Sequence, residues 1–488
     1  MHKQRRKALS LVVLFLSVLL SAMVSCISDE IVTNPGNDLC FSADTLSFDT
    51  LFSKVGSTTA WMTVRNTGSK TVRIASISLQ SGGTSGFHIN LDGETKTSFT
   101  DVEIPPHDSL FIFVEVKTNA QSAATPIKVT DAILFDTDGP RKQIVLEAWS
   151  WDAVIWKGKM IASDTTLTND KPIVIYDSLV VAENTTLTMQ PGTKLYFHDG
   201  AYMKVYGTLS AIGTKEAPIQ MRGDRLDNVL TDLPYDYYPG QWYYLQLAST
   251  SFNNRLEFVD IHGAYYGIIA DSSSVSQSKL KMFNSVIHNM VYSCLWSNTS
   301  DIEVGNCQLS NSASYTVAVI GGSVAFTHCT IANYQHLPFL NRDDGPSLIL
   351  VNFLADSKDT SIIRAYPMTA QFNNCIVFGS QTNEVGFGKR ENIPWNAAFN
   401  NCLLRSYSIP IEQATVLNCK YASDAKFLKL GYEVDKYMFD FRIDSLSPAK
   451  NIGSTNYLST YPIDLNGISR TIDNLPDAGA YEWVQGQK

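Results

Sequence analysis

The chain has 488 residues, 44% of them hydrophobic and 17% charged, with 29 Gly and 18 Pro, so disorder, collagen and coiled coil are poor descriptions. That length leaves room for roughly two to four domains. The net charge of −9 becomes −13 once Lys3, Arg5, Arg6 and Lys7 leave with the leader described below, a balance that argues against a nucleic-acid partner.

Those four basic residues form an n-region, and the apolar run from Leu9 to Val24 is too short to span a bilayer comfortably, which suits a secretory signal. The run ends at Met23-Val24-Ser25-Cys26, which resembles a bacterial lipobox with Met23 in place of the usual Leu. The resemblance implies that residues 1–25 are a lipoprotein signal peptide and that Cys26 carries a lipid tying the protein to a membrane. Ser28-Asp29-Glu30 is similar to the acidic signal that sends some Gram-negative lipoproteins to the outer face of the outer membrane, so a cell-surface lipoprotein is expected. An ordinary secreted protein with a cysteine near its cleavage site is the alternative.

Residues 26–39 hold little to bury and read as a tether. Residues 40–150 change to short alternating stretches such as Ala60-Trp61-Met62-Thr63-Val64 and Val72-Arg73-Ile74-Ala75-Ser76-Ile77, with turns at Asn66-Thr67-Gly68 and Asp136-Thr137-Asp138-Gly139. Several strands in this span predict a β-sandwich. Their order resembles the Ig-like domains found near the start of many bacterial surface proteins, whose usual role is that of a spacer.

Residues 151–430 repeat. Phe283-Asn284-Ser285-Val286-Ile287, Gly305-Asn306-Cys307-Gln308-Leu309 and Thr327-His328-Cys329-Thr330-Ile331 share a pattern that returns at Asn374-Cys375 and Asn401-Cys402. The Ser/Cys slot recurs at intervals of 22, 22, 46 and 27 residues, and the interval of 46 reads as two periods. A period near 22 with short β-type runs is too short for tetratricopeptide, ankyrin or propeller units and lacks the leucine-rich pattern, but it fits one coil of a parallel β-helix. Coils stack about 4.8 Å apart, which predicts on the order of 11 coils. Ile261, Ser285, Cys307, Cys329, Cys375 and Cys402 are expected to stack inside as a small-residue ladder, with Asn284, Asn306, His328, Asn374 and Asn401 stacked at a turn.

"TMQPGTKLYF…GTLSAIGTKEAPIQMRGD", "PGQWYYLQL", "LEFVDIHGAYYGI" and "FTHCTIANY" resemble the right-handed parallel β-helix proteins of bacterial surfaces, which have the pectate-lyase-like fold. Residues 431–488, with Ser447-Pro448-Ala449 and Asp477-Ala478-Gly479-Ala480-Tyr481-Glu482, are similar to the segment that closes such helices. The fold class implied is all-β: an Ig-like sandwich, then a right-handed parallel β-helix and its closing segment. The resemblance implies no particular activity, since β-helices host lyases, hydrolases, adhesins and spacers alike.

Cys26 apart, seven cysteines remain without a CxxC, and unpaired core thiols are expected, with a Cys307–Cys329 bridge as the alternative. No HExxH, GxSxG, P-loop or complete EF-hand loop occurs, and Asp464-Leu465-Asn466-Gly467 is only a fragment of a calcium loop. His198, His262, His288, His328 and His336 read as turn or surface residues. Two clusters invite a function. Tyr235, Tyr237 and Tyr238 lie on a loop that opens at Asp224 and closes at Pro239-Gly240; their rings suit stacking on sugars, with Asp227, Asp232 and Asp236 as hydroxyl acceptors. Trp242 and Tyr244, just beyond, are expected to pack.

The second cluster is Arg342-Asp343-Asp344 within Asn341–Gly345. Asp343 and Asp344 are the candidates for acid/base chemistry and Arg342 for glycan binding, against the plain reading of a solvated Asp-Gly turn. The expectation is passive binding of an extracellular polysaccharide on the β-helix face. A polysaccharide lyase or glycoside hydrolase, and an adhesive rod with a protein partner, stand as alternatives. No metal or cofactor is expected, except that a lyase would bring Ca²⁺.

Overall fold

The computed structural model describes residues 30–120, 123, 125–230, 232–355, 363–431 and 437–486; Cys26 and the leader lie outside them. Two compact units are present, dividing at Ser150 and Trp151.

The first unit is a β-sandwich. One sheet has five strands, Leu39–Phe41, Ala60–Asn66, Ser109–Val116, Phe87–Leu91 and Glu94–Lys96. The other has six, with Thr71–Leu79, Ile127–Asp136 and Lys142–Trp151 at its centre. Alternation decides the inner face: along Ser109–Val116, Ile112, Val114 and Val116 are buried while Phe111 and Phe113 face out. Met62, Val64, Ile74, Ile89, Ile133 and Leu146 complete one core. Ile31–Val32, within the span read as a tether, adds a short parallel strand against Thr71 and Val72.

The second unit is a parallel β-helix. A ten-stranded sheet and an eighteen-stranded sheet run its length, and strand pairing within both is parallel. From Asn254–Glu257 onward, each coil turns out of the ten-stranded sheet through one residue in the left-handed region. Asn284, Asn306, His328, Asn374 and Asn401 hold that slot with φ between 50° and 57°, and Phe258 and Asn418 extend it. Asn tolerates this conformation because its short amide satisfies nearby backbone; here the amides also link coils, as Asn306 Nδ2 donates to Asn284 Oδ1 at 2.6 Å.

The next residue points inward, and Ser285, Cys307, Cys329, Cys375 and Cys402 are all buried there. Their polar atoms join neighbouring coils: the Cys375 amide donates to Cys402 Sγ, and the Ser285 amide to Cys307 Sγ. All seven cysteines among the described residues are free, and burial pushes the ladder thiols well above their ordinary range. Ile261 does not belong to this ladder. Val259, whose amide donates to Ser285 Oγ, fills the slot, and Ile261 stacks on Ile287 in the neighbouring ladder.

The 46-residue interval is one coil rather than two. Thr327 pairs directly with Asn373 and Thr330 with Ile376. The extra length leaves the coil as loops on either side of Leu348–Val351, which pairs with Val317–Ile320 and Val385–Gly388. The ten-stranded sheet therefore has one strand fewer than a two-period reading requires.

The closing segment runs back along the turn stack. Asn401 donates to Ile452 O at 2.8 Å, Asn374 exchanges two hydrogen bonds with Ser454, and Arg470 donates to Asn306 Oδ1. Asp464 Oδ1 accepts from the Ile468 amide at 2.7 Å, so Asp464–Gly467 forms a turn. Among the described residues no helix is long and apolar enough to cross a membrane.

Candidate functional site

The strands that follow the turn stack alternate inward apolar and outward polar residues. In Val259–His262, Val259 and Ile261 point inward while Asp260 and His262 point outward. Parallel pairing aligns His262 with His288, and aligns Gln220 and Met221 with Asp260 and Ile261, which puts Arg222 beside His262. Residues spread over the interval 222–288 thus meet on adjacent coils.

They form a charge-assisted network. His262 Nδ1 is 2.8 Å from Asp260 Oδ1, and its Nε2 is 3.1 Å from Asp236 Oδ1. Arg222 pairs with Asp236, His288 Nε2 lies 3.3 Å from Asp260 Oδ1, and the two imidazoles stack 4.7 Å apart. Burial opposes charge on His262, but the Asp260 carboxylate and the hydrogen bonds to Asp236 and Asp260 raise it to about 9. Burial likewise opposes ionisation of Asp236 and Asp260, and is outweighed by His262 together with Arg222 or His288, so both carboxyls are held below their usual range. Neighbouring His198 and Asp224 form a second pair at 2.7 Å.

Beyond His262 the chain turns at Gly263 and presents aromatic rings on the next strand. Tyr202 and Tyr244 are 5.4 Å apart, Tyr243 and Tyr265 5.6 Å, Tyr265 and Tyr292 6.0 Å, and Tyr266 and Trp296 6.1 Å. This is an outward strip at coil spacing, and Tyr243 and Tyr292 are 45% and 46% accessible.

The Tyr235–Tyr238 loop is seated beside this cluster. Tyr235–Tyr237 is one turn of 3₁₀ helix, and Asp236 at its centre bonds His262. Tyr235 lies under the Arg225 guanidinium at 4.3 Å, and Tyr235, Tyr237 and Tyr238 are all half-buried. Trp242 packs as expected, fully buried and stacked 4.2 Å from Phe197. Asp227, read as a hydroxyl acceptor, is paired with Arg225.

Arg342, Asp343 and Asp344 are not part of the network. The Arg342 side chain is buried, donates to Glu384 Oε1 at 2.8 Å and to the carbonyls of Asn333 and Gly345, and therefore anchors its loop instead of offering a free guanidinium to a glycan. Asp343 Oδ1 accepts from the Gly345 amide at 2.8 Å, the signature of a local turn, and Asp344 is exposed. His262 and His288, read as turn or surface residues, are the two imidazoles of the cluster. Placing Val259 in the repeat slot exposes the signal, since His262 and His288 each lie three residues beyond that slot in successive coils.

No family model and no curated protein matches the sequence. Among solved structures, the chain is similar to the A-module of the mannuronan C-5 epimerase of Azotobacter vinelandii, at 10% identity over 56% of this chain and 88% of that one, with a TM-score of 0.28. It is similar to the catalytic unit of a thermostable α-1,3-glucanase from Streptomyces thermodiastaticus, at 8% identity over 74% and 76%, with a TM-score of 0.25. A family 123 glycoside hydrolase from Clostridium perfringens aligns at 8% identity over 23% of this chain and only 26% of its own length, with a TM-score of 0.16.

Proposed function

We propose that the protein is a surface-exposed lipoprotein whose β-helix binds an extracellular polysaccharide along the aromatic strip. The observation that carries this reading is the strip itself: rings on successive coils, two of them widely accessible, form a row suited to the apolar faces of consecutive sugars. The ionised cluster at its edge supplies hydrogen-bond partners for hydroxyl or carboxylate groups. Each ring that stacks on a sugar is expected to contribute about 1–2 kcal/mol, a five- to thirty-fold change in Kd. Tyr243→Ala and Tyr292→Ala should therefore each weaken retention on the bound polysaccharide by that factor, while Asp343→Asn with Asp344→Asn leaves it unchanged. Retention that survives loss of both rings rules the strip out.

Membrane attachment is read from the leader and rests on Cys26. Cys26→Ala is expected to move the protein from the membrane fraction to the soluble fraction. A variant that stays with the membrane removes the lipid from this account.

A catalytic reading of the same face is favoured by one further observation, the gathering of three perturbed titratable groups, Asp236, Asp260 and His262, with the His288 imidazole 3.3 Å from Asp260. Paired-carboxylate hydrolysis needs a protonated carboxylic acid beside an ionised one, and Asp236 and Asp260 are both held ionised, so proton transfer at the imidazoles is the chemistry this cluster suits better. Incubation with acidic polysaccharides separates the readings: shortened or unsaturated products, lost in His262→Gln, indicate an enzyme. Neither binding nor products across a broad glycan panel would leave an adhesive or structural rod.

A further inference from the structure

Three candidate ligand atoms converge on the outward face of the coils. Asp260 Oδ1 lies 2.8 Å from His262 Nδ1 and 3.3 Å from His288 Nε2, and all three atoms fall within 4.8 Å of one another. A tetrahedral zinc-class ion with bonds of about 2.0–2.1 Å holds its ligands roughly 3.3 Å apart. The strand register therefore brings one carboxylate and two imidazoles to ligand spacing.

A separate feature points the same way. His262 Nε2, the nitrogen turned away from Asp260, faces Asp236 Oδ1 at 3.1 Å, and Arg222 pairs with the same Asp236 oxygen. A carboxylate on the far nitrogen of a ligating histidine fixes the ring and directs the other lone pair at the ion. The group is not sealed, because the Asp260 and His288 side chains are 31% and 21% accessible, which leaves a side open for a further ligand. Among the described residues one other convergence occurs, at Asp473, Asp477 and Glu482. It is all carboxylate, and its members already hold Lys450, Arg470 and backbone amides.

We propose that Asp260, His262 and His288 bind one divalent first-row transition ion, with Asp236 orienting His262 and the open position facing solvent. Two imidazoles and one carboxylate suit Zn²⁺, Co²⁺ or Ni²⁺, whereas Ca²⁺ takes six to eight oxygen ligands. On binding, His262 Nδ1 gives its proton to solvent and its lone pair to the ion. The site stands on its three ligands and does not depend on the glycan reading.

The test uses the mature protein stripped with a chelator and titrated with Co²⁺. One equivalent is expected to bind with visible absorption of a four- or five-coordinate centre, without the sulfur charge-transfer band of cysteine ligation, and to be displaced by Zn²⁺. His288→Ala and Asp260→Ala should each weaken binding at least tenfold, and Asp236→Asn about 10–100-fold with the absorption retained. Circular dichroism melting checks that each variant folds. In the unmutated protein, the His262 and His288 ring resonances should shift together on adding one equivalent of Zn²⁺. Co²⁺ binding of undiminished affinity in folded His288→Ala overturns the site, as does the absence of any Zn²⁺-dependent shift in those two rings.

Discussion

Cys329→Asp is expected to destabilise the β-helix by on the order of 3–5 kcal/mol, the cost of a buried charge left without a partner. Cys329 is fully buried between the coils of Cys307 and Cys375, and its thiol faces the carbonyls of Thr327 at 3.4 Å and Val304 at 3.5 Å. Those two carbonyls accept and do not donate, and the Cys307 amide beside the thiol supplies one N–H where a buried carboxylate needs several. Coils are stabilised chiefly by their neighbours, and a break here separates the last three strands of the ten-stranded sheet from the rest. Cys329→Ser is the control. Ser285 already occupies this slot, donating to Phe283 O at 2.7 Å, so the hydroxyl should cost within about 1 kcal/mol. Urea denaturation followed by circular dichroism measures both, and equal midpoints for the two variants would show that the slot is not a dry interior.

Arg470→Met is expected to cost a similar 3–5 kcal/mol, concentrated in the closing segment. Arg470 and Glu482 are both fully buried, paired at 2.7 Å, and the guanidinium also donates to Gly479 O and to Asn306 Oδ1 on the turn stack. Removing it strands the Glu482 carboxyl in a site where burial and Asp477 already push its titration upward. The closing segment should then exchange its amide hydrogens faster than the coils beneath it, since local opening follows local stability. Arg470→Met combined with Glu482→Gln removes both charges and should recover much of the loss. Exchange at Ser454, Gly479 and Ala480 reports on this, because their amides donate to Asn374 and Thr330 of the coils. Unchanged protection at those amides in the single variant would mean that the segment is held without the ion pair.

The repeat was legible because its two diagnostic residues answer to local physics. A left-handed turn residue favours Asn, and the cramped position after it favours Ser or Cys, so the pair recurs through most coils from Asn284 onward. Reading failed where local chemistry was silent. Nothing in the chain from Cys329 to Cys375 distinguishes two short coils from one coil carrying loops, because loop length affects stability only weakly. Placing Ile261 in the slot of Val259 shifted one coil by two residues, which kept the inward and outward parity intact but hid the alignment of His262 with His288. Asp343 and Asp344 are adjacent acids, but adjacency along a chain says little about convergence in space.

Alternation, turn preference and burial of small apolar groups act over a few residues, and they set the two β architectures, the inward thiol ladder and its Asn turns. The sequence also marks the Tyr235–Tyr238 loop as unusual. The folded chain alone brings Arg222, Asp236, Asp260, His262 and His288 into one cluster, joins Arg342 to Glu384 and lays the closing segment along the turn stack. The reason is that coil-to-coil pairing sets these contacts. A lone histidine or aspartate on an outward strand position looks like any solvated residue until the register of the next coil places a partner about 4.8 Å away.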